Sequence, residues 1–481
     1  MSADAVVVGS GPNGLVAAVT LALAGREVLL LEAADRFGGG LRSAELTLPG
    51  RVHDLGATVM AMALASPAMR ELDLAGVEFV HPPVAAAHPL DDRPAVLVHR
   101  DVRRTCEGLG RDAAVWRATA GVVARAGFPL TDLLLKPLGP WGARQLRPAT
   151  LAAGARFGVP AALPATTLGR HAFRTLEGRA LLAGLAAHSM LDLRAPLTGG
   201  YGLTLGALAH LVGWPLVKGG SQVLADALVA LLRKLGGQAV SGHRVHRLAE
   251  LDAETVVLDV SPEQFLRMAE LPAPYRRRLA RFRRGPGVFK LDWALDGPVP
   301  WRDPAVAEAG TVHLGGTLEE ITLSEAETAA GRHSPRPYVL LVQPYAADPS
   351  RGGHTLWAYC HVPNGSAVDM TGAIEAQIER FAPGFRERVL ARHVMGPAAL
   401  EAANANLLGG DIGGGLASLG QFVKRPVWSP APWRTPLPGV FLCSASTPPG
   451  PGVHGMGGHQ AARLALKRSM PAWRPDRGQG V

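Results

Sequence analysis

The first 32 residues constrain this chain more than any other feature, because they set a strand, a glycine turn, a helix and a second strand in one order. Residues 5–8 form a short β-branched run, followed by Gly9-Ser10-Gly11-Pro12-Asn13-Gly14 and by a stretch, 15–24, that is predicted to be helical. A second apolar strand is predicted over 27–31 and ends at Glu32, 18 residues beyond Gly14. That is the spacing of a dinucleotide-binding unit. Gly9 permits the tight turn, Gly11 lets the backbone approach a pyrophosphate, and Gly14 lets helix and strand pack closely. Pro12 and Asn13 complete the turn, and the helix N-terminus that follows it offers free N–H groups and a positive dipole end that suit a phosphate. Glu32 can accept hydrogen bonds from a ribose diol and would repel a 2′-phosphate, so NADP is disfavoured.

Such a unit is only a small part of 481 residues. With 47% hydrophobic and 19% charged residues the chain can bury a large core in two or more domains. The 58 Gly and 39 Pro are scattered through apolar sequence, which excludes disorder and collagen-like repetition. Cys106, Cys360 and Cys443 stand far apart, which excludes a disulfide framework, a cysteine-based zinc site and dithiol redox chemistry. Together with a start, MSADAVVVGSG, that lacks the pattern of a signal peptide, this makes a cytoplasmic setting the expectation. The longest uncharged apolar stretch, 199–217, carries early glycines, His210 and Pro215, and reads as a buried helix ahead of a membrane span.

After Glu32 the chain continues Ala33-Ala34-Asp35-Arg36-Phe37-Gly38-Gly39-Gly40-Leu41-Arg42-Ser43. This resembles the FAD-dependent oxidoreductases that include amine oxidases and phytoene desaturases, in which an Arg-x-Gly-Gly segment runs along the FAD diphosphate. By that resemblance Ala33, Arg36, Gly38, Gly39, Gly40, Leu41 and Arg42 join the glycines and Glu32 as FAD-binding positions. Near the other end, Gly450-Pro451-Gly452-Val453-His454-Gly455-Met456 repeats the glycine spacing, but too little chain follows for a second dinucleotide unit. It is similar instead to the C-terminal motif of phytoene-desaturase-like proteins, which meets the flavin ring. That implies flavin contacts at Gly452, Val453, His454, Gly455 and Met456. Val245 matches the residue whose backbone contacts adenine. Further segments around Ala186-Ala187-His188-Ser189, Gly213-Trp214-Pro215, His354-Thr355-Leu356-Trp357 and Asn404-Ala405-Asn406 look like those of phytoene-dehydrogenase-related proteins.

The resemblance implies an α/β fold: a Rossmann-like FAD-binding domain with an inserted mixed-sheet substrate domain capped by apolar helices. The expected FAD domain is discontinuous, 1–75, 217–285 and 425–481, and the substrate domain comprises 76–216 and 286–424. Helices are predicted over 113–126, 179–189, 223–235 and 459–466, and strands around 238–245, 255–260, 289–295, 338–344, 355–362 and 440–443. No set of His, Asp and Glu has metal spacing, and no metal is expected. No G-x-S-x-G turn supports a hydrolase. His188 and His210 are candidate pocket groups, with core histidines as the plainer reading.

The run Arg276-Arg277-Arg278-Leu279-Ala280-Arg281-Phe282-Arg283-Arg284, in a chain of net charge +9, reads first as a solvated helix face and second as a peripheral membrane contact. No nucleic-acid module is visible. The expected activity is FAD-dependent hydride removal from, or redox-neutral isomerisation of, a lipophilic carotenoid-like or other apolar substrate, with the electron acceptor open. The alternatives are a flavin amine oxidase and a non-catalytic FAD-bound scaffold. The cavity is expected to be long, apolar and short of acid/base pairs. Lys290 matches a lysine that holds a water near flavin N5 in amine oxidases, against a strand-surface lysine, and His454 is the second candidate at the ring.

Overall fold

The computed structural model describes residues 3–135 and 148–467. Parts of three expected domain segments, 1–2, 136–147 and 468–481, lie outside the described residues.

Five parallel strands form the first sheet, in the order Val440–Leu442, Ala253–Leu258, Ala3–Val8, Val28–Leu31, Gln238–Val240. The strands are short and mostly apolar because both faces of the sheet are covered, as parallel sheets require. One face carries the helix Pro12–Leu23, packed against Gln222–Lys234 and Met456–Ala465 in one apolar cluster. The other face is closed by Phe265, Met268, Tyr275 and Leu279. The strands come from the start, the middle and the end of the chain, and their C-terminal ends converge on the glycine turn.

The second sheet has seven strands, in the order Val389–Met395, Gly287–Leu295, Thr355–Val362, Val339–Val342, Ala309–Leu314, Val84–Leu90, Arg93–Val98. It is antiparallel except where Ala309–Leu314 runs parallel to Val84–Leu90. The period of two divides its residues cleanly. Phe289, Leu291 and Trp293 face the helix Thr371–Phe381 in one dry cluster. Lys290 pairs with Tyr359 and Asp292 with Trp357, placing these four on the opposite face. Against the strands Val84–Leu90 and Arg93–Val98 of this sheet lies a helical cap built from Ala120–Ala126, Leu176–Ala186 and Thr198–Leu211 around Trp116, Leu182 and Leu203. The stretch read as a buried helix is thus the cap helix Thr198–Leu211, and among the described residues no helix is long and apolar enough to cross a membrane.

The two sheets are tied by buried polar contacts. Arg351, fully buried, donates to Asp54 at 2.6 Å and to Asp348 at 3.0 Å, and Trp357 Nε1 donates to Thr58 at 2.9 Å. Asp54 and Thr58 belong to the N-terminal unit and Trp357 to the second sheet, so the relative placement of the two halves is fixed by charge-assisted bonds.

Several expected bounds shift. The helix over 113–126 is two helices, Ala113–Ala118 and Ala120–Ala126, broken at Thr119 (φ −109°, ψ −89°). The helix over 179–189 is Leu176–Ala186 followed by a 3-10 turn, and the strand over 338–344 is Val339–Val342. The strand over 238–245 stops at Val240, because Gly242 turns back with φ +71° and the N–H groups of Gly242 and His243 bond to the carbonyls of Ala34 and Glu32.

Candidate functional site

The turn 9–14 is built as its spacing predicts. Gly9 sits at φ +95°, and a Cβ on Gly14 would stand 2.0 Å from the Gly9 carbonyl oxygen. The second strand ends with Glu32, whose carboxylate accepts from the Ser10 N–H (2.8 Å), the Ser10 hydroxyl (2.5 Å) and the Ala34 N–H (2.9 Å). The acid is thereby held beside the glycine turn with lone pairs left for a ribose diol. Val245 is buried against Val6, Val8 and Leu31, so its side chain belongs to the core and only its backbone can serve a cofactor.

One cavity of about 420 Å³ joins the two halves. Gly11, Pro12, Asn13 and Gly40 form its wall on the first-sheet side, with Gly452 and Val453 beside them. Val288, Lys290, Leu340, Val342, Trp357 and Tyr359 line the second-sheet side, and His188, Leu205 and Trp214 close it from the cap. The N-terminal and C-terminal motifs, 438 residues apart between Gly14 and Gly452, therefore share one wall. A cradle of glycine backbone, a helix N-terminus and a buried Asn13 Oδ1 without a partner fit a dinucleotide there.

The rest of the Arg-x-Gly-Gly segment supports this wall from behind. Arg36 is exposed with Nη1 on the Ser43 carbonyl (3.3 Å). Arg42 ties Gly39 (3.1 Å) to Ala403 (2.5 Å), Gly38 N–H donates to Ser10, and Leu41 is fully buried. Ala33 is exposed.

Four expectations are corrected. His454 does not stand at the cavity: it is fully buried, Nε2 lies 3.1 Å from the Gly450 carbonyl, and Nδ1 accepts from the Met456 N–H at 3.0 Å. Burial lowers its pKa to about 4, so it is a neutral brace of the C-terminal turn. Gly455 and Met456 are also not on the cavity wall, since Gly455 packs on Val16 and Met456 enters the core. Lys290 is not a strand-surface lysine but is 3% exposed, with Nζ 2.5 Å from both oxygens of Asp292 and 5.4 Å from the Trp357 ring centre. Finally, the cavity is apolar over most of its wall yet holds charge, at Asp259, Arg284 and Lys290.

The basic run divides accordingly. Arg276, Arg277, Arg278, Arg281 and Arg283 are exposed, whereas Arg284 turns inward, pairs with Glu263 and Asp411, and reaches the cavity wall. His210 is a core residue that accepts from Trp116 Nε1 at 2.8 Å. Sequence reasoning missed Asp259, Trp357 and Tyr359. The alternation of 355–362 held the signal for the last two, which sit two residues apart on a strand and stack with ring centres 5.9 Å apart.

Asp259 ends the strand beside the glycine turn and accepts from the Gly14 N–H at 3.0 Å. Burial, with Glu32 adding repulsion, raises its pKa to about 6. The folded state therefore holds a proton that the unfolded chain has already released, so stability falls as pH rises from about 4 to about 6. Asp259→Asn should abolish that fall and be more stable than the parent near neutrality by about 3 kcal/mol, with the two converging below the window. Denaturation across this pH range measures it, and parallel curves would remove Asp259 as the cause.

Residues 7–72 match the NAD(P)-binding Rossmann-like domain family. The chain is 27% identical over 345 residues to pyridine nucleotide-disulfide oxidoreductase domain-containing protein 2 of Rattus norvegicus, a match covering 60% of this chain and 59% of that protein's length. The three cysteines here are nonetheless free and buried, so no dithiol accompanies the likeness. One component of the limonene dehydrogenase of Castellaniella defragrans is 36% identical over 110 residues, 22% of this chain and 20% of that protein. The structure of cyclohexylamine oxidase from Brevibacterium oxydans superposes with TM-score 0.55 at 15% identity, covering 96% of this chain and 97% of that one. Residues 7–72 are thus similar to an NAD(P)-binding Rossmann-like domain, set within an overall fold shared with cyclohexylamine oxidase.

Proposed function

We propose that the chain is an FAD-dependent oxidoreductase that accepts hydride from an apolar or weakly polar substrate held between its two sheets. The observation that carries this reading is the shared cavity, where both glycine motifs face a mostly apolar sheet wall and no carboxylate is free to meet a cationic substrate. Asp259 is spent on the Gly14 N–H, and Asp292 on Lys290. FAD, when bound, supplies the hydride acceptor. The chain's own residues do the rest: the glycine turn and Glu32 hold the dinucleotide, Val288, Leu340 and Val342 exclude water and align the reacting C–H bond, and Lys290 holds a water that can take the proton. The exposed arginines at 276–278, 281 and 283 suit docking on anionic lipid, where such a substrate resides.

A second reading, a flavin amine oxidase, is favoured by the stacked pair Trp357 and Tyr359 on the wall, a platform suited to a neutral amine. Anaerobic mixing of the FAD-loaded protein with a monoterpene hydrocarbon such as limonene, and separately with aliphatic amines, separates the two. Bleaching of the yellow colour by the hydrocarbon alone is the expected result, and bleaching by amines alone would overturn the apolar reading. Glu32→Ala should weaken FAD by about 1.5–3 kcal/mol, or roughly 10- to 150-fold, as charge-assisted bonds are lost. Unchanged affinity by titration with free FAD would take Glu32 out of the site.

A further inference from the structure

We infer that His188, backed by His313, is the group that recognises a hydroxyl or carbonyl on the otherwise apolar substrate. The inference rests on the apolar-substrate reading above and deepens it. His188 follows the cap helix Leu176–Ala186 in a 3-10 turn, and its ring is part of the cavity wall, edge-on to Trp214 with centres 5.9 Å apart. Its Nε2 lies 2.9 Å from Nε2 of His313, a fully buried residue of the strand Ala309–Leu314. His313 Nδ1 is buried without a partner, and no partner for His188 Nδ1 is found among the described residues.

Two imidazoles joined through Nε2 share one proton, so one donates and the other accepts. Burial keeps both neutral, lowering His188 to about 3 and His313 well below the ordinary histidine value. Because His313 Nδ1 bonds to nothing, the protein enforces neither tautomer. A carbonyl at His188 Nδ1 selects the form in which that nitrogen carries the proton and His313 donates. A hydroxyl, which can donate or accept, is met by either form. The pair therefore suits neutral polar groups of either sense, in a wall that also holds Leu205, Trp214 and Val342. A buried histidine that only filled space would not need an open nitrogen or a second imidazole behind it.

The test uses the FAD-loaded protein and two probes that differ by one hydroxyl, limonene and perillyl alcohol, titrated by the change in the flavin spectrum. The alcohol should bind about tenfold more tightly than the hydrocarbon. His188→Leu should bring that ratio near one while leaving the affinity for limonene little changed. His188→Gln, which keeps a hydrogen-bonding group, should restore part of the preference, and His313→Leu should reduce it. A ratio near one in the parent, or an undiminished ratio in His188→Leu, overturns the inference while the apolar-substrate reading stands. If neither probe perturbs the flavin, both fall together.

Discussion

Gly14→Ala should lose most of its bound flavin and melt well below the parent, although it adds a single methyl group. The new Cβ would stand 2.0 Å from the Gly9 carbonyl oxygen and 3.2 Å from Cβ of Asp259, and neither neighbour is the far end of a flexible side chain. The helix Pro12–Leu23 would have to lift from the strand Ala3–Val8. It cannot lift freely, because its other side is held by the C-terminal helix. A Cβ on Gly458 there would meet the Asn13 carbonyl oxygen at 1.8 Å. Overpacking of a closed core costs about 1–3 kcal/mol and more when backbone must move. Movement of the helix N-terminus also displaces the N–H groups that would face the diphosphate. Gly108, in the helix Val102–Leu109 with open space around its Cα, is the control: Gly108→Ala should be stabilising by about 0.5–1 kcal/mol. Flavin absorbance per protein and the melting temperature read both effects. A Gly14→Ala variant that stayed yellow and equally stable would show that the close approach is not needed.

That prediction could be framed from the sequence, because the fingerprint is local: four residues separate Gly9 from Gly14, and the turn's geometry follows from which positions lack a Cβ. The strands 355–362 and 289–295 were equally legible, since a period of two in apolar sequence sets which residues share a face. What could not be read is contact across the chain. Arg284 belongs by composition to a basic surface run, and only Glu263 and Asp411, brought in from two other segments, turn it inward. His454 lies inside a motif that by resemblance would meet the cofactor, yet its ring is taken by the turn's own backbone at Gly450 and Met456. His188 and His210 looked alike as lone histidines in apolar sequence. Trp116, 94 residues away from His210, makes one a core group, and the cavity makes the other a wall group. Fixed spacing is visible in sequence; long-range pairing of charge is decided by tertiary packing.

Lys290→Met is expected to destabilise the protein severely, by about 3–5 kcal/mol, because it strands a buried carboxylate. Asp292 is fully buried, and Lys290 contacts both of its oxygens at 2.5 Å. His53 lies 3.6 Å from Asp292 and is neutral beside the intact pair, because burial and, next, the Lys290 charge lower its pKa to about 3; with the lysine gone, burial still opposes its protonation. His393, 4.0 Å away, stands at a partly exposed edge where solvent weakens the attraction. Burial already raises the Asp292 pKa, and losing the ammonium raises it further. The folded variant then holds a proton that the unfolded chain releases, so its stability should fall as pH rises and its deficit should shrink toward acid pH. Lys290→Met combined with Asp292→Leu removes both charges and should recover most of the loss, as replacement of buried ion pairs by apolar residues often does. That double variant is the proper test of the proton-handling role. It should bind FAD normally, because the glycine turn belongs to the other sheet, yet slow the anaerobic bleaching of the flavin by substrate about 100-fold or more if Lys290 holds the water that takes the proton. A stable double variant that bleaches at the parent rate would assign Lys290 to the ion pair alone.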